Sequence, residues 1–300
     1  MARIAIGIPV YNEERNIGQL IQSIERQSLQ TSAIDRVIIC DDGSTDCTVQ
    51  VVEDTLRRSE WLKQVTFFEI KSKNEGKSAA LQSIFREYLQ GSAEYLLLLD
   101  SDMVMERNDV ISALLQSFSS SKDVAMVGGW YMFHSHPNPL FRVLRFSLEV
   151  IKNLGNSKKA FVCSGGILCL SREFVQSIDM PIGITRIDLY LYLQAVSSGM
   201  SYVFQPEAVV VDTKDFSTLG YSWFARIQGR STAMPNYLIE KYGKEALHHH
   251  THVSFFVILR ALFSSFCAYP VDSLCYLAYK LAAISQNVVK KGATDVLWRN

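Results

Sequence analysis

Asp100 and Asp102, in Asp100-Ser101-Asp102, follow directly on the run Glu94-Tyr95-Leu96-Leu97-Leu98-Leu99. Two carboxylates at i and i+2, where a strand ends and the chain turns, can converge on one hard divalent cation. Mg²⁺ and Mn²⁺ favour oxygen ligands and commonly bridge protein carboxylates to substrate phosphates. The same triplet also fits a solvated turn with an N-cap for a helix beginning near Asn108. Asp41-Asp42-Gly43-Ser44-Thr45-Asp46 is equally two-sided. Asp and Gly favour a turn, and Thr45 or Asp46 can cap the next helix. A carboxylate at Asp41 or Asp42 can instead accept a hydrogen bond from a nucleobase imide N–H or a ribose hydroxyl. Gly76-Lys77-Ser78 resembles the end of a phosphate-binding P-loop, but that motif needs a glycine where Lys71 stands. Lys77 at a helix N-terminus is still placed to meet a diphosphate, since dipole and ammonium act together. His248-His249-His250 and His252 have no Cys or acidic cluster beside them and read as an exposed junction rather than a metal site.

The elements that must position these groups alternate. Arg3–Pro9 is a short apolar run consistent with a buried strand, and Glu13–Gln27 places Ile17, Leu20, Ile21 and Ile24 at helical spacing. Arg36–Cys40, Val65–Ile70 and Glu94–Leu99 read as further strands, with helices over Asp46–Arg58 and Lys77–Leu89. This alternation implies parallel βαβ units and a doubly wound sheet. Such sheets bind ligands outside the carboxyl ends of their strands. Tyr11-Asn12-Glu13, Asp41-Asp42-Gly43-Ser44 and Asp100-Ser101-Asp102 fall at those ends, and Asn74-Glu75-Gly76-Lys77 opens a helix beside them. Beyond Val124–Gly128 the pattern loosens into a connection over 129–160 with a helix near Pro139–Leu154. A Gly-Gly turn within Cys163–Leu170, a helix over Arg172–Ile178 and a helix over Ile187–Ser198 stopped by Gly199 follow. Tyr202–Phe204 and Ala208–Val211 read as short strands around Pro206, and the chain from Thr218 reads as helical.

The 300 residues are 48% apolar, enough for a large core, and 30 basic residues offset 30 acidic ones. Bulk charge therefore gives no reason to expect a nucleic-acid partner. The six cysteines contain no Cys-x-x-Cys pair, so a reduced, cytosol-facing chain is expected. The strand pattern begins directly after Met-Ala-Arg, without the features of a secretory signal. Residues 253–284 are rich in Phe, Leu, Tyr and Ala but are interrupted by Arg260, Pro270, Asp272 and Lys280. A spanning helix wants about 20 apolar residues with few or no charges. Two readings stay open there: a helical hairpin packed as ordinary core, or interfacial helices on a membrane surface. The aromatic residues accompanied by basic ones favour the second. The expected organisation is an α/β domain over 1–215 and a helical C-terminal segment over 216–300.

The segments Ile8-Pro9-Val10-Tyr11-Asn12-Glu13-Glu14, Asp41-Asp42-Gly43-Ser44-Thr45-Asp46, Asn74-Glu75-Gly76-Lys77-Ser78-Ala79-Ala80-Leu81 and Leu98-Leu99-Asp100-Ser101-Asp102 stand in one order along the chain. In that order and spacing the chain resembles the inverting family 2 glycosyltransferases of GT-A fold. The likeness continues through Cys163-Ser164-Gly165-Gly166 and from Asp188 to Pro206-Glu207-Ala208. The resemblance implies a Rossmann-like, doubly wound mixed sheet. It also implies transfer of a sugar from a nucleotide-diphosphate sugar to a hydroxyl of a saccharide or lipid-linked acceptor, with Mn²⁺ or Mg²⁺ as cofactor. On this likeness Pro9, Tyr11 and Glu13 line the nucleoside pocket, Asp41 or Asp42 contacts the base, and Lys77 lies near the diphosphate. Asp100, with Ser101 beside it, contacts ribose or metal, and Asp102 binds the metal directly. Asp188, in Thr185-Arg186-Ile187-Asp188, stands where the family has its general base, although Ile187 replaces the usual acid before it.

A second departure lies downstream. The Gln-x-x-Arg-Trp motif of processive members is absent from Trp223-Phe224-Ala225-Arg226-Ile227-Gln228-Gly229-Arg230-Ser231, which favours single-sugar transfer. Arg226 and Arg230 would share a helix face and could reach phosphates. A sugar-phosphate nucleotidyltransferase would be expected to carry a Gly-rich, basic loop where Tyr11-Asn12-Glu13-Glu14 stands. A nucleotide-sugar-binding protein without turnover is disfavoured by the presence of Asp102 and Asp188. The expected location is cytoplasmic, peripheral on the cytoplasmic face of a membrane.

Overall fold

The computed structural model describes residues 2–29, 33–119, 123–133, 165–184, 186–213 and 236–242, with isolated positions elsewhere. Two compact units divide the chain: Met1–His134, Phe161–Asp215 and Ala233–Thr251 form one, and Ser135–Ala160, Phe216–Thr232 and His252–Asn300 the other. In the second unit only isolated positions are described. Cys163, Ser164, Arg226, Arg230, the four histidines near 250 and most of both the expected 139–154 helix and 253–284 lie outside the described residues.

The first unit is built on eight strands: β1 (Ile4–Val10), β2 (Ile34–Asp41), β3 (Thr66–Ile70), β4 (Tyr95–Leu99), β5 (Met103–Val104), β6 (Val124–Phe133), β7 (Ile167–Ser171) and β8 (Ser201–Asp212). They form one sheet in the order β3-β2-β1-β4-β7-β6-β8-β5. β1 pairs in parallel with β2 and β4, and β2 with β3. β7 then runs antiparallel between β4 and β6. The sheet is therefore mixed, and its parallel half carries the three loops that hold the polar clusters.

Alternation along the strands sends side chains to two cores. On β1, Ile4, Ile6, Ile8 and Val10 pack on one face with α1 (Ile17–Glu25), α2 (Thr48–Arg57), α3 (Glu60–Val65) and α5 (Val110–Phe118). The leucine run of β4 divides the same way, Leu97 and Leu99 to that face and Leu96 and Leu98 to the other. The second face holds α4 (Lys77–Gln90), α6 (Arg172–Ser177), α7 (Ile187–Ser197) and Leu238 from α8 (Asn236–Tyr242). A continuous apolar run is what a strand covered on both faces requires. Each fully buried side chain of this kind contributes roughly 1.5–3 kcal/mol.

Several elements differ from their sequence pattern: β5 was not expected, and β6 runs on to Phe133, into the stretch read as a connection from residue 129. α3 is one short helix ahead of β3 that the apolar periodicity did not reveal. The two strands expected around Pro206 are a single strand, β8. Its ladder with β6 shifts register there: β6 advances from Gly128 to Trp130 while β8 advances from Phe204 to Val209. The extra residues bulge out and include Pro206, which has no N–H to give a ladder. Among the described residues no helix is long and apolar enough to cross a membrane. The described cysteines Cys40, Cys47, Cys169 and Cys267 are free thiols.

Helix α4 lies unusually close to β1. A Cβ on Gly7 would stand 2.5 Å from Cγ2 of Ile84 and 3.1 Å from Cδ2 of Leu98. That absent methyl sets the height of α4 above the sheet, and with it the position of Lys77 at the helix start. Overpacking a closed core costs about 1–3 kcal/mol. Gly7→Ala is expected to lower stability by that amount, read as a lower urea midpoint with an unchanged m-value.

Candidate functional site

The loops after β1 and β2 are laced together by short polar side chains. Asn12, held at φ 53°, accepts the N–H of Thr45 at 2.8 Å, and its own N–H donates to Ser44 Oγ at 2.9 Å. The N–H of Glu13 donates to Thr48 Oγ1 at 2.8 Å, and Glu14 accepts the N–H of Cys47 at 2.9 Å. Asp46 accepts both the N–H and the hydroxyl of Thr48. Partial burial pulls the Asp46 carboxyl upward, but these hydrogen bonds outweigh it and hold the group below its ordinary value.

The two aspartates at the end of β2 do different work. Asp41 is fully buried and accepts from Ser44 N–H at 3.0 Å, Gly43 N–H at 3.2 Å and Ser44 Oγ–H at 2.5 Å. It closes its own turn. Gly43, at φ 75°, permits that turn, and a Cβ there would meet the backbone of Lys73 at 2.5 Å. Asp42, 2% exposed, reaches across to the start of α4, accepting the N–H of Gly76 at 2.7 Å and of Glu75 at 3.2 Å. Lys71 Nζ stands 3.7 Å from it. Asp42 thereby binds the end of β2 to the N-terminus of the helix that presents Lys77.

Lys77 Nζ donates to Asp100 Oδ1 at 2.5 Å. Asp102, 6% exposed, is fixed through its backbone: its carbonyl accepts the N–H of Thr213 at 2.8 Å, and Thr213 Oγ1 stands 2.9 Å away. The same hydroxyl lies 3.1 Å from Asn16 Oδ1, and Asn16 donates to Glu13 at 2.6 Å. Thus the residue just past β8 ties the acidic triplet to the first loop.

Two cavities meet at this edge. One of about 290 Å³ is lined by residues that include Tyr11, Glu13, Asp42, Ser101 and Asp102. The other, of about 560 Å³, includes Gly165, Ile184, Arg186, Ile187 and Asp188 in its lining. Pro9, Lys77 and Asp100 line both. The structure therefore brings Pro9, Tyr11, Glu13, Asp42, Lys77, Asp100, Ser101 and Asp102 together, with Asp188 one cavity further on. Asp41 lines neither cavity and sits behind the site. Arg226 and Arg230 lie outside the described residues.

Asp188 occupies the first turn of α7. A Cβ on Gly165 would lie 3.7 Å from its Cβ, so the glycine after Ser164 packs directly on it. Burial, then the charges of Asp212 and Asp188, push the Tyr131 phenol up to about 12. Arg186, at the N-cap of α7, has left-handed backbone angles (φ 57°, ψ 49°), and its Nε stands 3.8 Å from Asp188 Oδ1. Arg186, Thr213 and Tyr131 were not singled out from the sequence. Only Arg186 had a local signal, its place two residues before Asp188.

The donor chemistry fits a hard divalent cation. Asp100 and Asp102 bring carboxylates to one cavity. Among the described residues they are not part of any cluster of three or more His, Cys, Asp or Glu side chains. A cation there would complete its shell with ligand oxygens and water, which is how Mg²⁺-type sites are usually filled.

The chain belongs to glycosyl transferase family 2, whose profile matches residues 5–178, more than half of the 300. A glycosyltransferase of Haemophilus influenzae without assigned substrate is 34% identical over 133 residues, 44% of this chain and 48% of that protein. The chain thus spans about half the length of that relative. The O-antigen chain rhamnosyltransferase RfbN of Salmonella typhimurium is 28% identical over 225 residues, 72% of this chain and 68% of that one. Among solved structures, the mannosyltransferase PcManGT of Pyrobaculum calidifontis, in complex with GDP-Man and Mn²⁺, superposes with a TM-score of 0.62. It is 17% identical, and the match covers 94% of this chain and 80% of that one. Residues 1–349 of TarS from Staphylococcus aureus, in complex with UDP-GlcNAc, give 0.55 at 17% identity, covering 91% and 83%. The shared fold is GT-A.

The Asp42 clamp has a measurable weight. Asp42→Ala strands the N–H groups of Glu75 and Gly76, and hydrogen bonds to a charged group are worth about 1.5–3 kcal/mol. Its urea midpoint is expected to fall accordingly. Asp42→Asn, which keeps an acceptor oxygen, is expected to lose less.

Proposed function

We propose that the protein transfers a single sugar from a nucleoside-diphosphate sugar to an acceptor hydroxyl, with inversion at the sugar carbon. The observation that carries this reading is the pair of cavities joined at Pro9, Lys77 and Asp100, with Asp102 on one side and Asp188 on the other. The smaller cavity holds the nucleotide, and the larger one holds the sugar and acceptor. Family membership supports the reading, as do GT-A structures solved with GDP-Man or UDP-GlcNAc.

Each residue then has a task. Tyr11 offers an exposed ring to the base, and Pro9 and Glu13 shape the pocket around the nucleoside. Asp42 holds the α4 N-terminus toward the diphosphate, where Lys77 adds its ammonium to the helix dipole. Asp100 and Ser101 face the ribose and phosphate side. Asp102 and Asp100 would hold Mn²⁺ or Mg²⁺, which when bound would supply Lewis-acid neutralisation of charge on the diphosphate. Asp188 accepts the acceptor hydroxyl's proton as the oxygen attacks the face opposite the leaving group. The new carbon–oxygen bond forms as the bond to the diphosphate oxygen breaks.

The acceptor is a saccharide or a lipid-linked molecule, and the setting is the cytoplasmic face of a membrane. Exposed Phe263 and Phe266 support a membrane-facing C-terminal segment. Pelleting with liposomes that survives high salt and is released by detergent is expected. Protein that stays in the supernatant under all conditions removes the membrane from this reading.

Thermal shift against UDP-, GDP- and dTDP-sugars, with and without Mn²⁺, is expected to show metal-dependent stabilisation by one nucleotide class. Asp102→Asn is expected to lose that metal dependence. Asp188→Asn is expected to keep it while transfer falls about 10²–10⁴-fold, the range of general-base catalysis. Undiminished transfer by Asp188→Asn would refute its role as base.

A further inference from the structure

The geometry points to Arg186 as the residue that selects an anionic acceptor, one carrying a phosphate or carboxylate beside the hydroxyl that is glycosylated. This rests on the reading of the larger cavity as the acceptor side of a glycosyltransferase. Three observations converge on it.

The first is backbone conformation. Arg186 sits at φ 57°, ψ 49° immediately before the helix that carries Asp188. Glycine or asparagine fills that region with less strain, so an arginine held there is a reason to ask what its side chain does. The second is placement. Arg186 lines the 560 Å³ cavity with Asp188 and does not line the smaller cavity that holds Asp102. It therefore stands on the far side of Lys77 and Asp100 from the nucleotide-side groups. The third is charge. Among the described residues the lining of the larger cavity contains Asp100 and Asp188, which would repel an approaching anion, and two cations, Lys77 and Arg186. Lys77 donates to Asp100, the carboxylate shared by both cavities, and Arg186 Nε stands 3.8 Å from Asp188, the carboxylate of the larger cavity alone.

A guanidinium carries five N–H donors in a planar fork, matched to the paired oxygens of a phosphate or carboxylate. Standing beside Asp188, it would hold such a group while leaving the neighbouring hydroxyl within reach of the base. It would also offset the repulsion from the two aspartates. Among the described residues, no aromatic ring lines this cavity to stack on a neutral sugar. The remaining lining is largely aliphatic, including Leu81, Leu98, Leu168, Ile184 and Ile187.

Calorimetric titration of the full chain tests this, with glycerol 3-phosphate as a phosphomonoester probe and glycerol as its neutral counterpart. Both are titrated with and without Mn²⁺ and a nucleoside diphosphate. Wild type is expected to bind glycerol 3-phosphate and not glycerol. Arg186→Gln is expected to lose that binding at least about tenfold, the scale of a charged hydrogen bond, and Arg186→Lys to lose part of it. Nucleoside diphosphate affinity, measured separately, is expected to be unchanged in both variants. Co-sedimentation with phosphatidylcholine vesicles, with and without phosphatidic acid, separates the two sources of the phosphate. Arg186-dependent sedimentation only with phosphatidic acid assigns it to a lipid, and Arg186-dependent binding of the soluble probe alone assigns it to a soluble acceptor. The proposal is overturned if Arg186→Gln matches wild type in both assays, or if it loses nucleotide affinity to the same extent, which would assign Arg186 to the donor. A wild type that binds no nucleoside diphosphate refutes the glycosyltransfer reading instead, and the phosphomonoester arm still reports on Arg186.

Discussion

The carboxylate of Asp42 holds the site in register. It is buried at the end of β2 and takes the backbone N–H groups of Gly76, the N-cap of α4, and of Glu75 just before it. This one interaction fixes the start of α4 against the sheet edge. Lys77 is the first residue of that helix, and its distance from Asp100 follows from where the helix begins. The close packing of α4 on Gly7 constrains the same helix from its other face. Together the two contacts place a cation where the two cavities meet, beside Asp100, which lines both as well.

Around that clamp the edge is built from backbone-directed side chains. Asp41 closes one turn, Asn12 and Glu14 join the first two loops, and Thr213 secures the carbonyl of Asp102 from the far end of the sheet. Such bonds fix the backbone that carries Asp102, while Lys77 donates to the Asp100 carboxylate and Arg186 stands beside that of Asp188. Preorganisation of this kind is what transfer chemistry requires, because the stabilising groups must already point where charge develops. The antiparallel insertion of β7 beside β4 is equally consequential. It puts Gly166 under Asp100, whose N–H donates to the Gly166 carbonyl at 3.1 Å, and it leads to the segment that ends in α7.

Much of this was legible in the chain itself. The alternation of apolar runs and helical stripes located β1, β2, β4, α1 and α4 to within a few residues, because elements covered on two faces need continuous or periodic apolar sequence. The polar clusters at strand ends were visible for the same reason, since nothing apolar belongs there. Less was legible where local pattern carried two meanings. Pro206 read as a break between strands, yet β8 continues through it because a register shift against β6 absorbs the residues around it. Asp41 and Asp42 read as interchangeable, though one faces its own turn and the other a helix start thirty-odd residues away.

The sequence by itself determined the α/β architecture of the parallel half, the family, and which acidic residues belong at the sheet edge. Hydrophobic period and motif order are properties of neighbours along the chain, so they survive without a fold. Only the tertiary structure decided how those residues divide between two cavities and that Lys77 bridges to Asp100. It alone also showed that Thr213 holds Asp102 and that Arg186 stands beside Asp188 in a strained conformation. Most of these are contacts between residues far apart in sequence. They are set by the crossing of β1, β2, β4, β7 and β8 in one sheet, which no local pattern encodes.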